Sequence, residues 1–141
     1  MIKFNGHIRY FVTTLKSSFE KYIKPHIDEK ICSMHGCKKP DEVYIDNKYK
    51  KIFIIEKKFQ QVNGSVCEKI QTAIAKHWYY NKRIPTYEVI YMYCLSDWFK
   101  DNCIGELQML KEFNIPVFFG NDENYKKYII KFMMNYYKNK T

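Results

Sequence analysis

The stretch PDEVYIDNKYKKIFIIEKK, residues 40–58, decides the fold that the sequence predicts. Two short runs rich in β-forming residues, 42–45 and 52–58, flank a polar connector of the length found in hairpins. The run 52–55 is continuously apolar, which is typical of a strand buried on both faces at the centre of a sheet. The sequence therefore predicts a β-hairpin whose second strand ends in a polar segment at the rim of a sheet.

Helix and strand patterns alternate on both sides of this hairpin. Residues 10–23 carry apolar side chains at steps of three and four, which predicts an amphipathic helix that Pro25 closes. After the hairpin, Ser65 and Glu68 form a capping-box pattern that predicts a helix running to about Tyr80. Further along, the patterns predict a strand over 87–95, a helix over 106–113, a strand over 116–119 and a helix over 123–137. This order predicts an α/β fold with a mixed central β-sheet flanked by helices.

The size and the ends of the chain bear on its organisation. A chain of 141 residues with 46% hydrophobic and 18% aromatic residues can form one core, so we expect a single domain over residues 1–141. The pattern over residues 27–39 is ambiguous: 31–34 suit a short strand, whereas Gly36 and the run 38–40 indicate a turn. The first ten residues lack the apolar stretch of a secretory signal, and no run approaches the roughly 20 apolar residues of a membrane helix. We therefore expect an intracellular protein, in the cytoplasm or with DNA, that is not secreted and has no membrane partner.

The charge of the chain indicates a class of partner. It has 24 Lys and Arg against 15 Asp and Glu, a formal net charge of +9. A positive field of this kind attracts a polyanion and speeds the encounter with it. Nucleic acid is the obvious candidate, although a lysine-rich composition can also arise for unrelated reasons. A catalytic or binding site is therefore needed to show whether the positive charge serves nucleic-acid binding.

The five cysteines are an odd number scattered along the chain without an export signal. This pattern favours reduced thiols over a disulfide framework. Cys32, His35 and Cys37 could be read as part of a zinc site, but their spacing is not that of a common finger or ribbon. Free thiols are the expectation.

The hairpin brings together residues that can carry chemistry. Asp41 precedes the first strand and Glu56 ends the apolar part of the second, so an antiparallel pairing sets them side by side. Two carboxylates at a sheet rim supply the hard oxygen ligands that Mg²⁺ requires. Because side chains alternate along a strand, Lys58 faces the same side as Glu56, and Lys57 faces the other. An ammonium beside a carboxylate-held metal can orient a water and stabilise charge that develops on a phosphodiester.

These residues resemble the signature of the PD-(D/E)XK nuclease superfamily, in which a Glu-x-Lys motif follows an apolar strand. The match consists of Pro40-Asp41 and then Ile52-Phe53-Ile54-Ile55-Glu56-Lys57-Lys58. The order of elements over 10–93 is similar to the common core of the superfamily, and EKKFQQVNGSVCEKIQT, residues 56–72, looks like its restriction enzymes. The resemblance implies a restriction-endonuclease-like α/β sandwich. In it, Asp41 and Glu56 would bind Mg²⁺, for which Mn²⁺ substitutes, and Lys58 would help to position the attacking water.

The resemblance implies further site residues. Many members carry an acidic residue on the first helix, for which Glu20 is the candidate metal ligand, and a glutamine on the helix after the motif, for which Gln71 is the candidate. Lys57 would contribute at most its main-chain carbonyl to the metal. Glu20 and Gln71 also suit an ordinary solvated helix face. The residues that we expect to contact nucleic acid are Gln60, Gln61, Lys69 and Lys76, with a plain solvated face as the alternative.

The sequence thus predicts a magnesium-dependent DNA endonuclease. We expect an enzyme like the type II restriction endonucleases, acting on double-stranded DNA as a homodimer so that each site cuts one strand. A structure-specific nuclease, such as a Holliday-junction resolvase or a repair nuclease, is the alternative within the same fold. A non-catalytic DNA-binding or assembly module is the alternative from another class.

Overall fold

The structure, a computed structural model, describes residues 2–4, 7–9, 11–14, 18–37, 39–59, 66–120 and 124–136. The chain order of the elements is β1 (Ile2–Phe4), β2 (His7–Arg9), β3 (Val12–Thr13), α1 (Phe19–Ile23), a 3-10 turn (Lys24–His26), β4 (Glu42–Asp46), β5 (Lys51–Lys58), α2 (Val66–Ile70), α3 (Ala73–Arg83), β6 (Glu88–Leu95), α4 (Trp98–Asn102), α5 (Ile104–Glu112), β7 (Val117–Phe119) and α6 (Asn124–Tyr136).

The main sheet has five strands in the order β3-β4-β5-β6-β7. The pairs β3/β4 and β4/β5 are antiparallel, whereas β5/β6 and β6/β7 are parallel. Strands β1 and β2 form a separate antiparallel pair. The predicted α/β fold with a mixed central sheet is therefore confirmed.

The β4–β5 hairpin is present as the sequence predicts. Its register pairs Glu42 with Ile55 at the open end and Asp46 with Lys51 at the turn. The Asp46 carboxylate accepts the backbone N–H groups of Lys48 and Tyr49 at 3.0 and 3.1 Å, which stabilises the four-residue turn. Because the register is fixed from the turn outward, the residue before β4 must lie beside the end of β5.

Helices cover both faces of the sheet, and β5 shows this directly. The four residues from Ile52 to Ile55 are each 0% exposed. Phe53 and Ile55 pack in a cluster that includes Ile129 and Met133 of α6. Ile52 and Ile54 pack in the other cluster, with residues of α1, α2 and α3. Full burial of an aliphatic side chain contributes about 1.5–3 kcal/mol, so this strand anchors both halves of the core.

The first helix is much shorter than the predicted helix over 10–23. Val12 and Thr13 form β3 and pair with Ile45 and Tyr44 of β4. The prediction is wrong for this part because β-branched residues favour extended backbone, and the free edge of β4 offers a partner. Among the residues of this span that the structure describes, Phe19–Ile23 form the helix.

The helix predicted from Ser65 to about Tyr80 is broken into α2 and α3. At the break, the N–H groups of Gln71 and Thr72 bond to the carbonyls three residues earlier, at 3.1 and 3.2 Å. The Thr72 hydroxyl also donates to the Lys69 carbonyl at 2.6 Å. Side-chain hydrogen bonds of this kind compete with the regular hydrogen bonds of a helix, which explains why the helix breaks between α2 and α3. Ser65 itself lies outside the described residues.

Three further features complete the fold. Helix α4 was not predicted from the sequence, and residues 31–34 contain no strand. The predicted strands and helices after residue 87 are otherwise confirmed, with ends shifted by a few residues. Within the described part of the chain, no helix is long and apolar enough to cross a membrane.

Candidate active site

Asp41 and Glu56 meet at the rim of the sheet where β5 ends. Asp41 directly precedes β4, and its carboxylate accepts the backbone N–H of Lys57 at 3.0 Å. This bond holds Asp41 against the end of β5. The side chain of Glu56 is only 9% exposed, and the two carboxyl groups share a hydrogen bond.

The electrostatics of this pair are unusual for a protein carboxyl group. Burial, followed by the charge of Asp41 and the hydrogen bond to it, raises the pKa of Glu56 from 4.5 to about 7. Lys76 and Lys58 act in the opposite direction but do not cancel the effect. Two carboxylates held together in a buried place disfavour their own ionisation, and a bound cation relieves that penalty. The donor set of Asp41 and Glu56 therefore fits a hard divalent cation.

Lys58 lies on the same side of the sheet as Glu56. Burial lowers the pKa of Lys58, and the nearby Lys76 lowers it further, while Glu56 and Asp41 oppose the change. The charges of two carboxyl groups and of a second lysine thus act on a partly desolvated ammonium. Such a group can both neutralise charge on a phosphate and hold a water in a fixed place.

Lys57 faces the opposite side, as strand alternation predicts. Its ammonium lies 2.8 Å from a Glu42 carboxylate oxygen and 5.5 Å from the centre of the Tyr125 ring. Only the main chain of Lys57 reaches the candidate site, through the N–H that binds Asp41. Binding of a metal ion by the carbonyl oxygen of Lys57 remains a prediction.

Lys76 belongs to the same group of charges, although the sequence indicated only a DNA contact for it. It lies on α3 between the buried residues Ala73 and Tyr80, and its charge acts on both Glu56 and Lys58. A Cβ atom added to Gly36 would lie 3.5 Å from the Lys76 ammonium, so that loop borders the lysine closely. The sequence alone does not indicate this position, because it depends on how α3 packs on β6, the strand beside β5.

Buried tyrosines lie beside Glu56 on the neighbouring strand β6. Tyr93 is the register partner of Glu56 in β6 and is fully buried. Burial also raises the pKa of Tyr93, whose hydroxyl lies 3.5 Å from the Lys69 carbonyl oxygen. This aromatic layer excludes water from one side of Glu56, which is the physical basis of the raised pKa there.

The other predicted site residues that the structure describes do not join this group. The Glu20 carboxylate lies 3.6 Å from the Arg83 guanidinium at the end of α3. Gln71 is exposed in the turn between α2 and α3. Lys69 is exposed on α2, close enough for its charge to act on Lys58. Gln60 and Gln61 lie outside the described residues.

The cysteines differ from the expectation of free thiols. Cys67 and Cys103 form a disulfide, with Cα atoms 5.6 Å apart and a sequence separation of 36. The prediction is wrong for this pair because sequence spacing does not show that α2 packs on the α4–α5 corner. Cys32, Cys37 and Cys94 are free. Among the residues that the structure describes, the trio of Cys32, His35 and Cys37 forms no metal-binding group.

Comparison of the chain with models of protein families, with curated proteins and with solved structures gives no match. The function therefore has to be inferred from the geometry and chemistry of the Asp41, Glu56, Lys58 and Lys76 group.

Proposed function

We propose that this chain is a magnesium-dependent nuclease of the PD-(D/E)XK type that hydrolyses DNA phosphodiester bonds. One observation carries the proposal: Asp41, Glu56 and Lys58 meet on one face of the sheet rim, with the two carboxyl groups in contact. The hairpin register and the buried strand before Glu56 support it, because they produce this meeting from the same residues that resemble the superfamily signature. We also propose that the α/β fold of the chain is the sandwich of the restriction-endonuclease-like proteins.

Asp41 and Glu56 would hold Mg²⁺, since their carboxyl groups are paired and partly buried, and the cation would offset the repulsion between them. Bound there, the ion would supply Lewis-acid activation of water and neutralisation of phosphate charge. Asp41 is already oriented by the Lys57 N–H, so little reorganisation of this side chain is needed. Glu56 must lose its proton to act as a ligand, and the nearby lysines favour that ionised form.

Lys58 and Lys76 would act on the substrate side of the pair. Lys58 positions the attacking water and stabilises the negative charge that develops on the phosphate. Lys76 approaches the same place from α3 and contacts the DNA backbone. Next to it, Ser33, Met34, His35, Gly36 and Lys39 line a cavity of about 390 Å³ that can admit a sugar-phosphate segment.

Double-stranded DNA is the proposed substrate, and a homodimer is the proposed active form. The net charge of +9 supports a polyanionic partner. A site of this kind cuts one phosphodiester bond at a time, so two sites related by a two-fold axis would cut both strands.

The proposal is tested by incubating the purified protein with plasmid DNA and with a branched DNA junction, in Mg²⁺ and in EDTA. We expect Mg²⁺-dependent cutting of the plasmid into discrete fragments, with loss of cutting in Glu56→Ala. Glu20→Ala is the matched control and retains cutting, because Glu20 pairs with Arg83. Cutting confined to the junction would replace the restriction-like enzyme with a structure-specific nuclease. Salt-sensitive DNA binding without any metal-dependent cutting would make the chain a non-catalytic module.

A further inference from the structure

A second group of metal-binding side chains lies at the corner where α2 meets α4 and α5. It consists of Cys67 on α2, Cys103 between α4 and α5, and Glu106 in the first turn of α5. The two Sγ atoms and a Glu106 carboxylate oxygen all lie within 4.8 Å of one another. Cys103 is buried, whereas Cys67 and Glu106 are partly exposed, so the group is reachable from solvent.

We propose that this group, the α2 clip, is a thiol-switchable site for one Zn²⁺ ion: a disulfide when oxidised and a zinc site when reduced. A dithiol reductant delivers two electrons and two protons to the Sγ–Sγ bond and becomes a disulfide itself. The two cysteines are then free thiols. Zn²⁺ displaces their two protons and binds both thiolates together with the Glu106 carboxylate. A water completes the four-coordinate site.

The size of the clip suits this chemistry. Bonds of roughly 2.3 Å to sulfur and 2.0–2.2 Å to oxygen place the ligand atoms of a tetrahedral zinc site roughly 3.3–3.8 Å apart. The three ligand atoms of the clip already lie within 4.8 Å of one another, so side-chain rotation alone can form the site. Thiolate ligands also select Zn²⁺ over Mg²⁺, which separates the clip from the carboxylate pair of Asp41 and Glu56.

The clip matters structurally because α2 has only five residues. A helix this short is not stable without tertiary contacts. It carries Lys69, whose carbonyl oxygen lies 3.5 Å from the hydroxyl of Tyr93, the register partner of Glu56. Zinc would thus keep α2 in place over the β6 strand when reduction removes the disulfide.

The test is metal binding by protein that has been reduced with dithiothreitol, stripped with EDTA and kept free of oxygen. Alkylation after unfolding should count three thiols in the oxidised chain and five in the reduced one. We expect the reduced protein to bind one more Zn²⁺ per chain than the oxidised protein, and Zn²⁺ to raise the melting temperature of the reduced protein more than that of the oxidised one. Co²⁺ in place of Zn²⁺ should give the near-ultraviolet absorption of cobalt–thiolate bonds.

Variants locate the site. Cys67→Ser should abolish the cobalt–thiolate signal, while Cys32→Ser, at an exposed free cysteine, should leave it unchanged. Glu106→Gln should weaken Zn²⁺ binding by at least about tenfold, and Glu112→Gln on the same helix should not. Cys67 is partly exposed, and cooperative melting of Cys67→Ser without metal confirms that it folds.

Two results would overturn the proposal: no Zn²⁺ bound at micromolar concentration by fully reduced protein, or equal binding by folded Cys67→Ser. None of these experiments measures DNA cleavage, so their outcome does not depend on the proposed nuclease activity. The additional Zn²⁺ that binds on reduction should be the same in Glu56→Gln as in the parent, because Glu56 is not part of the clip.

Discussion

In metal-free buffer, the Glu56→Gln variant is expected to be more stable than the parent, by a margin that grows with pH. Burial and the neighbouring Asp41 raise the pKa of Glu56 from 4.5 to about 7, so the folded protein holds this proton more tightly than the unfolded chain does. The resulting stability is fully present below pH 4.5 and is lost as the pH rises through about 7. The loss amounts to about 1 kcal/mol at pH 5 and about 3 kcal/mol at pH 8.

Glutamine has nearly the same shape as glutamate and carries no charge, so it avoids this loss. Urea unfolding of the parent and of Glu56→Gln in EDTA, at pH 5 and at pH 8, measures the difference. The advantage of Glu56→Gln should be larger at pH 8 by about 2 kcal/mol. Glu42→Gln, which removes a charge from the opposite face, should show no such gain. An advantage of Glu56→Gln that is equal at both pH values would refute the reasoning about a strained carboxylate pair.

Three further predictions concern activity and metal binding. Lys58→Ala should lower the rate of Mg²⁺-dependent DNA cleavage by about 10²-fold or more. Lys57→Ala keeps the main-chain bond to Asp41 and should change this rate by less than about tenfold. Equal losses in the two variants would contradict the catalytic role of Lys58. Lys76→Met should weaken DNA binding and reduce its dependence on salt in a filter-binding or fluorescence assay, and an unchanged salt slope would exclude a phosphate contact. Mg²⁺ should raise the melting temperature of the parent more at pH 8 than at pH 6, because the ion requires ionised Glu56. In Glu56→Gln, the effect of Mg²⁺ on the melting temperature should no longer depend on pH in this way.

The hairpin and its carboxylates were predictable because their determinants are local. A continuously apolar run flanked by polar residues indicates a central strand, and the short connector fixes an antiparallel register. With that register, Asp41 must lie beside Glu56, and strand alternation must separate Lys58 from Lys57. The structure shows these relations as the sequence predicts them.

Other features depend on partners that lie far away in the sequence. Val12 and Thr13 become a strand only because the edge of β4 is free to pair with them. Lys76 acts on Glu56 and Lys58 because α3 packs on β6, and the helical pattern of α3 alone does not show where that helix packs. The Cys67–Cys103 bond joins two elements whose contact no local pattern encodes.

The central claim is that Asp41 belongs to a metal-dependent centre that cuts phosphodiester bonds. It is tested most directly by the rate of Mg²⁺-dependent DNA cleavage in Asp41→Asn and in Glu42→Gln, which differ from the parent at adjacent positions. The side-chain oxygen of the introduced asparagine can still accept the Lys57 N–H, so the local fold should persist. We expect Glu42→Gln to cut like the parent and Asp41→Asn to be slower by about 10²-fold or more. Full Mg²⁺-dependent cutting by Asp41→Asn, or no metal-dependent cutting by the parent, would contradict it.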